Sequence, residues 1–457
     1  MKIKRKISLI MIIIIILINT IVCTKSHAAT PTISPQQNTL SINKISNTQS
    51  ENLAVKIDNI QETINLYSEA AVLIDSKTGT ILYGKNENQK MYPASTTKIL
   101  TAIIALEKCN LSDKITASYD AVMSIPSGYS NAAIQPDEVL TLQELLDMFL
   151  IHSANEVGLI LAEHISGSTE EFANLMNQKA IEIGCTNTHF TNPSGIHDEN
   201  HYSTAYDMAL MARYCMQNEE FRKIVAKKSC TIAPTDKYEE RYFVNTNDLI
   251  LPSSQYYYQY AVGIKTGYTS QAKNCLISAS LKDDLELIAV VLGAQTTETG
   301  KSGRYIDTKN LFEYGYSKYK FQEIATKNSV IKEITVDNAT KETQNLELLL
   351  KDSISSIAPI NFDSNNLDYN IELNENISAP IAEGAVLGKI TYNINGINYS
   401  SDLLASHNVE KSNLIIIICQ IGIVIIVLFI LSKLLSPRKS YKKKKLKKSK
   451  KKYWLNI

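Results

Sequence analysis

The sequence predicts an α/β domain followed by a small all-β domain and a single C-terminal transmembrane helix. Three observations carry this. Short apolar strand patterns flank a long helical middle between residues 65 and 318; residues 319–405 alternate in strand fashion with no long helical period; and residues 414–431 form an apolar run beside a basic tail. At 457 residues and 44% hydrophobic, the chain is long enough for two cores.

The amino end opens with "KIKRK", a near-continuous apolar run from Leu9 to Val22, and small residues around "SHAAT". This is the pattern of a secretory signal, so residues 1–28 are set aside from the fold. Residues 29–64 are rich in Ser, Thr, Asn, Gln and Pro and read as a polar linker. Within residues 65–318, "AAVLID" and "TILYGK" around "SKTG" predict a β-hairpin. From Pro93 to about Arg222 apolar residues recur at three and four, predicting helices, with Ser168 or Thr169 as a cap and Gly184 as a stop. "YAVGIKTGY", "NCLISASL" and "LELIAVVLGA" then read as strands, and "KNLFEYGYSKY" as a closing helix. Strands at both ends of a helical middle imply one sheet assembled from distant segments. Residues 319–405, with stretches such as "KITYNINGINYS", form the β-rich domain, and 406–413 a linker.

The run "LIIIICQIGIVIIVLFIL" is long enough to cross a bilayer's hydrocarbon layer, and residues 432–457 follow as a basic cytoplasmic tail. Of 47 Lys and Arg, 12 lie in this tail and 5 in or near the signal, leaving 30 against 46 Asp and Glu, a net charge near −16 for the exported portion. An acidic ectodomain argues against nucleic acid as a partner, and a basic block beside a membrane helix reads as a topology anchor. The expected location is the cell membrane, single-pass, with the folded domains outside the cytoplasm. Cys109, Cys185, Cys215, Cys230 and Cys275 are an odd set spread over a long chain, which reads as buried free thiols rather than a disulfide framework.

Chemistry concentrates in three short stretches. In "PASTTKIL", Ser95 and Lys98 are three apart, so on a helix the amine reaches back to the hydroxyl, and burial or a second cation turns that lysine into a base. In "HSANE", Ser153 and Asn155 stand between two apolar helical runs, where they can bridge the base's ammonium and hold a substrate amide. In "IKTGY", Lys265 offers positive charge, Thr266 a hydroxyl for a carboxylate, and Gly267 close approach of a ligand to the backbone. Lys77-Thr78-Gly79 repeats that tripeptide but sits in the predicted hairpin turn. His197 and His201, four apart in "HDENH", lack the adjoining glutamate and third ligand of a zinc site, so an ordinary loop is expected there and no metal. His152, next to Ser153, is expected to pack or face solvent.

Ser-x-x-Lys, Ser-x-Asn and Lys-Thr-Gly in this order resemble the signature of penicillin-binding proteins and class A β-lactamases. With "TNPSGIHDENHYSTAYDMALMARY" and "NTNDLI", the chain more narrowly resembles the low-molecular-mass serine-type D-alanyl-D-alanine carboxypeptidases. The resemblance implies a β-lactamase/DD-peptidase-like domain, an antiparallel sheet with helices and a helical subdomain. "APIAEGAVLGKI" is similar to that family's second domain. It further implies that Ser95 forms an acyl-enzyme with the penultimate D-alanine of a peptidoglycan stem peptide while Lys98 takes its proton. Ser153 and Asn155 relay protons and orient the peptide, Lys265 and Thr266 hold the terminal carboxylate, and the N–H groups of Ser95 and Tyr268 form the oxyanion hole. β-Lactams would then be covalent inhibitors, and no cofactor is implied. Two positions depart from the family: Ala154 stands where glycine is usual and Tyr268 where histidine is frequent.

Three rival outcomes share this site. A β-lactamase needs a deacylating glutamate in a Glu-x-x-Leu-Asn segment, absent between the second and third motifs. Endopeptidase or transpeptidase activity would use the same serine. A membrane-tethered sensor would bind peptidoglycan or β-lactam without turnover.

Overall fold

The computed structural model describes residues 64–435 apart from 363–366, 368 and 395–396. The expected signal segment, the linker up to residue 63 and the tail beyond residue 435 lie outside the described residues.

The predicted hairpin forms from β1 (Ala70–Asp75) and β2 (Ile81–Lys85), with Leu73 opposite Tyr83. Its turn is built by the Asp75 carboxylate, which accepts from Thr78 N at 2.7 Å, and by Gly79 at φ +78°, so Lys77-Thr78-Gly79 is turn chemistry. The helical middle runs through α1 (Lys98–Lys108), α2 (Tyr119–Met123), α3 (Leu142–Asp147), α4 (Asn155–Ser166), α5 (Thr169–Ile183), α6 (Ala205–Met216) and α7 (Glu219–Val225). A two-stranded ribbon of β3 (Lys114–Thr116) and β4 (Val139–Thr141) is set into it, and a hairpin of β5 (Ser229–Ile232) and β6 (Arg241–Val244) follows it. Helix ends are closed by side chains: Ser168 Oγ accepts from Glu171 N at the start of α5, and Gly184 at φ +99° ends it. Thr141 and Glu144 form a reciprocal capping box on α3.

Strands β7 (Ala261–Thr269), β8 (Lys273–Lys282) and β9 (Leu285–Ala294) complete an antiparallel sheet in the order β2-β1-β9-β8-β7. Both faces are buried, and the period of two along each strand divides them. Val72, Ile74, Ile277, Ile288 and Val290 face the helical middle, while Leu73, Leu276, Leu287 and Val291 meet α8 (Gly303–Lys318) on the other side. The sheet is thus the middle layer of three, with β7 at one edge.

Past α8, β10 (Tyr319–Ala325) pairs with β13 (Ile354–Pro359). The strands β11 (Val330–Thr335), β12 (Asn345–Leu350), β14 (Tyr369–Leu373), β15 (Val386–Ile394) and β16 (Ile397–Ala405) make a second antiparallel sheet, ordered β11-β12-β16-β15-β14. Its core holds Leu346, Leu348, Ile390 and Leu403. Residues 406–413, expected as a linker, are tied into this domain instead. Val409 is buried and bridges Ile381, and Lys411 bridges Ala339. A last helix, α9 (Leu414–Leu435), follows, and its side chains are described only from Ile417 to Lys433. Among the described residues, no helix is long and apolar enough to cross a membrane. Cys185, Cys215, Cys230 and Cys275 are buried free thiols, and Cys109 is half-buried.

Candidate active site

Ser95 does not lie on the helix itself but on a 3-10 turn, Ala94–Thr97, that leads into α1 at Lys98. This sharpens the spacing argument, because residues three apart on a 3-10 turn eclipse one another. Lys98 is fully buried, with Nζ 3.0 Å from Ser95 Oγ, 2.7 Å from Asn155 Oδ1 and 2.6 Å from the Ser194 carbonyl. Burial, and secondarily the charge of Lys265, hold its pKa well below the ordinary lysine value; Glu156 opposes them.

A neutral amine has two N–H donors and one lone pair. The Ser194 carbonyl can only accept. Asn155 is oriented by its Nδ2, which donates to Ser130 O at 2.8 Å, so its oxygen is the atom facing Lys98. When the amine is neutral, these two acceptors take both N–H groups and leave its lone pair to the Ser95 hydroxyl; when protonated, it donates to Ser95 Oγ instead. That is the arrangement of a general base beside its nucleophile.

The surroundings explain why the chain holds this geometry. Ala94 takes the left-handed region, at φ +49°, immediately before the serine. Gly195, at φ +77°, lies so close that a Cβ there would fall 1.9 Å from Ala94 O. The loop carrying Gly195 and Ser194 is tied by Asn192 Oδ1, which accepts from the N–H groups of Ser194, Gly195 and Ile196. On the opposite side β7 runs against the 3-10 turn, where a Cβ on Gly267 would sit 3.1 Å from Ser95 N. Ser153 also adopts a left-handed conformation, φ +71°, between α3 and α4. Ala154 sits at φ −57°, ordinary for alanine, and is packed in the core, so the missing glycine distorts nothing.

Ser95, Ser153, Asn155, Thr266, Gly267 and Tyr268 line one cavity of about 520 Å³. Lys98 and Lys265 are buried at it, so all eight residues singled out in the sequence converge. Lys265 is pushed down to about 7, first by burial and then by the charge of Arg304. Thr266 Oγ1 is 2.7 Å from Thr246 Oγ1. Arg304, Thr246, Ser130 and Ser194 are site residues that the motifs did not single out. Arg304, in the first turn of α8, lines the cavity, donates to Gly267 O at 3.3 Å and lies 4.8 Å from the Tyr305 ring. Lys265 and Arg304 therefore bring positive charge to one cavity, beside the buried Lys98 amine.

The histidines stand apart from this chemistry. His201 is buried: its Nδ1 accepts from Thr191 N at 3.1 Å, so Nε2 carries the proton and donates to Thr97 Oγ1 at 2.9 Å. Burial lowers its pKa to about 3; it lies in a loop, as expected, and braces the turn that carries Ser95 through its bond to Thr97. His197 packs edge-on against Tyr92, and among the described residues no three His, Cys, Asp or Glu converge as metal ligands. His152 packs against Phe243.

A family profile described as D-alanyl-D-alanine carboxypeptidase matches residues 57–296. The chain belongs to the D-alanyl-D-alanine carboxypeptidase family. The profile of the penicillin-binding protein 5 C-terminal domain matches residues 319–411 of the carboxypeptidase, reaching past residue 405 as the bonded strap at Val409 does. It is 35% identical to the D-alanyl-D-alanine carboxypeptidase DacF of Bacillus subtilis, over 76% of this chain and 87% of that one. It is 30% identical to DacA of Haemophilus influenzae, over 76% and 84%. Among solved structures, penicillin-binding protein 5 from Haemophilus influenzae superposes with a TM-score of 0.59 at 27% identity, over 77% of this chain and 99% of that one.

Proposed function

We propose that Ser95 is the nucleophile and Lys98 the base of a serine-type D-alanyl-D-alanine carboxypeptidase that shortens peptidoglycan stem peptides. The lone-pair arrangement at Lys98 carries this reading. The Ser95 hydroxyl gives its proton to Lys98 as its oxygen bonds to the carbonyl carbon between the two terminal D-alanines. The N–H groups of Ser95 and Tyr268 stabilise the oxyanion. The C–N bond then breaks, the departing D-alanine amine takes a proton through Ser153, and water hydrolyses the ester. Thr266, Thr246, Lys265 and Arg304 hold the terminal carboxylate, since they bring hydroxyls and positive charge to one side of the nucleophile. Asn155 orients the peptide as well as Lys98. β-Lactams acylate the same serine.

We also propose that α9 anchors the enzyme in the cell membrane, with the basic tail inside and the catalytic domain outside. The support is the apolar run from Leu414 to Leu431 followed by the basic tail in the sequence, and side chains such as Ile418, Ile425, Leu428 and Phe429 that are exposed in the isolated chain. A non-hydrolysing sensor finds no support in a complete nucleophile and base within a hydrolase family. The test is to incubate the purified enzyme with a pentapeptide ending in D-Ala-D-Ala and assay free D-alanine. Release that stops in Ser95→Ala is expected; labelled penicillin held by wild type without any D-alanine release would overturn the reading.

A further inference from the structure

The catalytic cavity continues at the far end of β7. A second cavity of about 480 Å³ lies past it, lined among others by Lys90, Tyr92, Glu199 and Tyr202. The two share Gln271, and Tyr92 is three residues before the nucleophile.

Resting on the carboxypeptidase reading, the direction of the bound peptide follows from the order of residues on one strand. The terminal carboxylate is held at Thr266, the scissile carbonyl lies at Gly267, Tyr268 and Ser95, and the chain upstream continues past Thr269 toward Gln271. A peptide extended along β7 advances about 3.3 Å per residue. The third residue of the stem, one before the attacked D-alanine, therefore reaches the mouth of the second cavity, and its long side chain enters it.

That cavity carries opposite charges that do not neutralise each other. Lys90 Nζ sits 4.1 Å over the Tyr202 ring, and Glu199 is exposed. Among the described residues neither is ion-paired, while Glu69, also at this cavity, is taken by Lys273. A simple ammonium entering here meets Glu199 but also the uncompensated charge of Lys90. A group with both an ammonium and a carboxylate on one carbon satisfies the two together.

We propose that this second cavity is the subsite for the side chain of the stem's third residue. It selects a diamino acid ending in an α-amino-acid group over one ending in an amine alone.

The test uses the full-length enzyme in detergent and two pentapeptides that differ only at position three, one with meso-diaminopimelate and one with L-lysine. The reading is the ratio of their kcat/KM values for D-alanine release. We expect a ratio of about five or more favouring diaminopimelate, expressed in KM and narrowed by 0.5 M salt. Lys90→Ala and Glu199→Gln should each lower that ratio by about two- to five-fold, the size of an exposed charge contact. Penicillin labelling establishes that each variant is folded. A wild-type ratio of one, or a ratio that survives in both variants, overturns the subsite. Release from neither peptide overturns the carboxypeptidase reading itself, and the subsite with it.

Discussion

At the scale of single residues, the proposed mechanism assigns different duties to two buried lysines, Lys98 and Lys265. Lys98→Ala should lower the rate of penicillin acylation by about 10²- to 10⁴-fold, the usual contribution of a general base, while leaving a folded protein; stopped-flow labelling measures it. The wild-type acylation rate should reach half its plateau far below pH 10.5, because Lys98 sheds its proton well below the ordinary value. Lys265 has the opposite duty, and its positive charge fades as pH rises through about 7. The KM for peptide should accordingly climb on the alkaline side, with Arg304 remaining as the permanent cation. Arg304→Ala should raise that KM by about ten-fold or more, and a substrate whose terminal carboxylate is amidated should lose this dependence. Linkage gives the sign for stability. Between about pH 7 and 10.5 the unfolded chain holds the Lys265 proton and the folded chain does not, so this group makes stability rise with pH across that window. Comparing wild type with Lys265→Met in denaturant melts at pH 7 and pH 10 reads the difference. Ser95 with Lys98, Ser153 with Asn155, and Lys265 with Thr266 were legible in the sequence because the members of each pair lie within three residues of one another, where short spacing limits their geometry. Arg304 and Ser194 were not, since they arrive from a distant helix start and a loop, and no spacing records that convergence.

At the scale of elements, two packing contacts govern whether the cavity keeps its shape. β7 crosses the nucleophile turn at Gly267, where a Cβ would stand 3.1 Å from Ser95 N. Gly267→Val should force the strand off the turn and suppress penicillin acylation by more than ten-fold, with a much smaller change in thermal midpoint. The cavity wall at Ser127–Ser130 is held from behind. Glu156, buried in α4, accepts from Ala132 N at 2.5 Å, and burial raises its pKa. Glu138 and Arg241 form a buried ion pair, and Arg241 also donates to Ala132 O at 3.3 Å. Arg241→Met leaves the Glu138 carboxylate buried without its partner, so unfolding free energy in denaturant should fall by about 3–5 kcal/mol. The strands and the capped helices were legible because their periods and end signals agree with the packing that encloses them. The change from α-helix to 3-10 turn at Ser95 was not, because it is imposed by Gly195 and β7 pressing on the turn from two sides.

At the scale of the whole molecule, the order of the domains was readable from composition and period, whereas the role of residues 406–413 was not. Polar residues there resemble a linker, yet one buried valine and two bridges bind them to the β domain, and only tertiary contacts reveal it. The proposed anchor makes a separable prediction. A chain ending at residue 413 should leave the membrane fraction and still release D-alanine from pentapeptide, as fractionation followed by the same assay would show. The central sheet has a further effect on the life of the protein. β1 pairs along its length with β9, Ala70 opposite Leu292, so the first strand made is completed by the last strand of its sheet. A polypeptide emerging amino end first must wait, its opening hairpin half-clothed, until nearly three hundred residues have been synthesised. Nascent fragments that stop short of β9 should therefore be inert toward penicillin and readily degraded, and the newborn enzyme gains its activity in one late step.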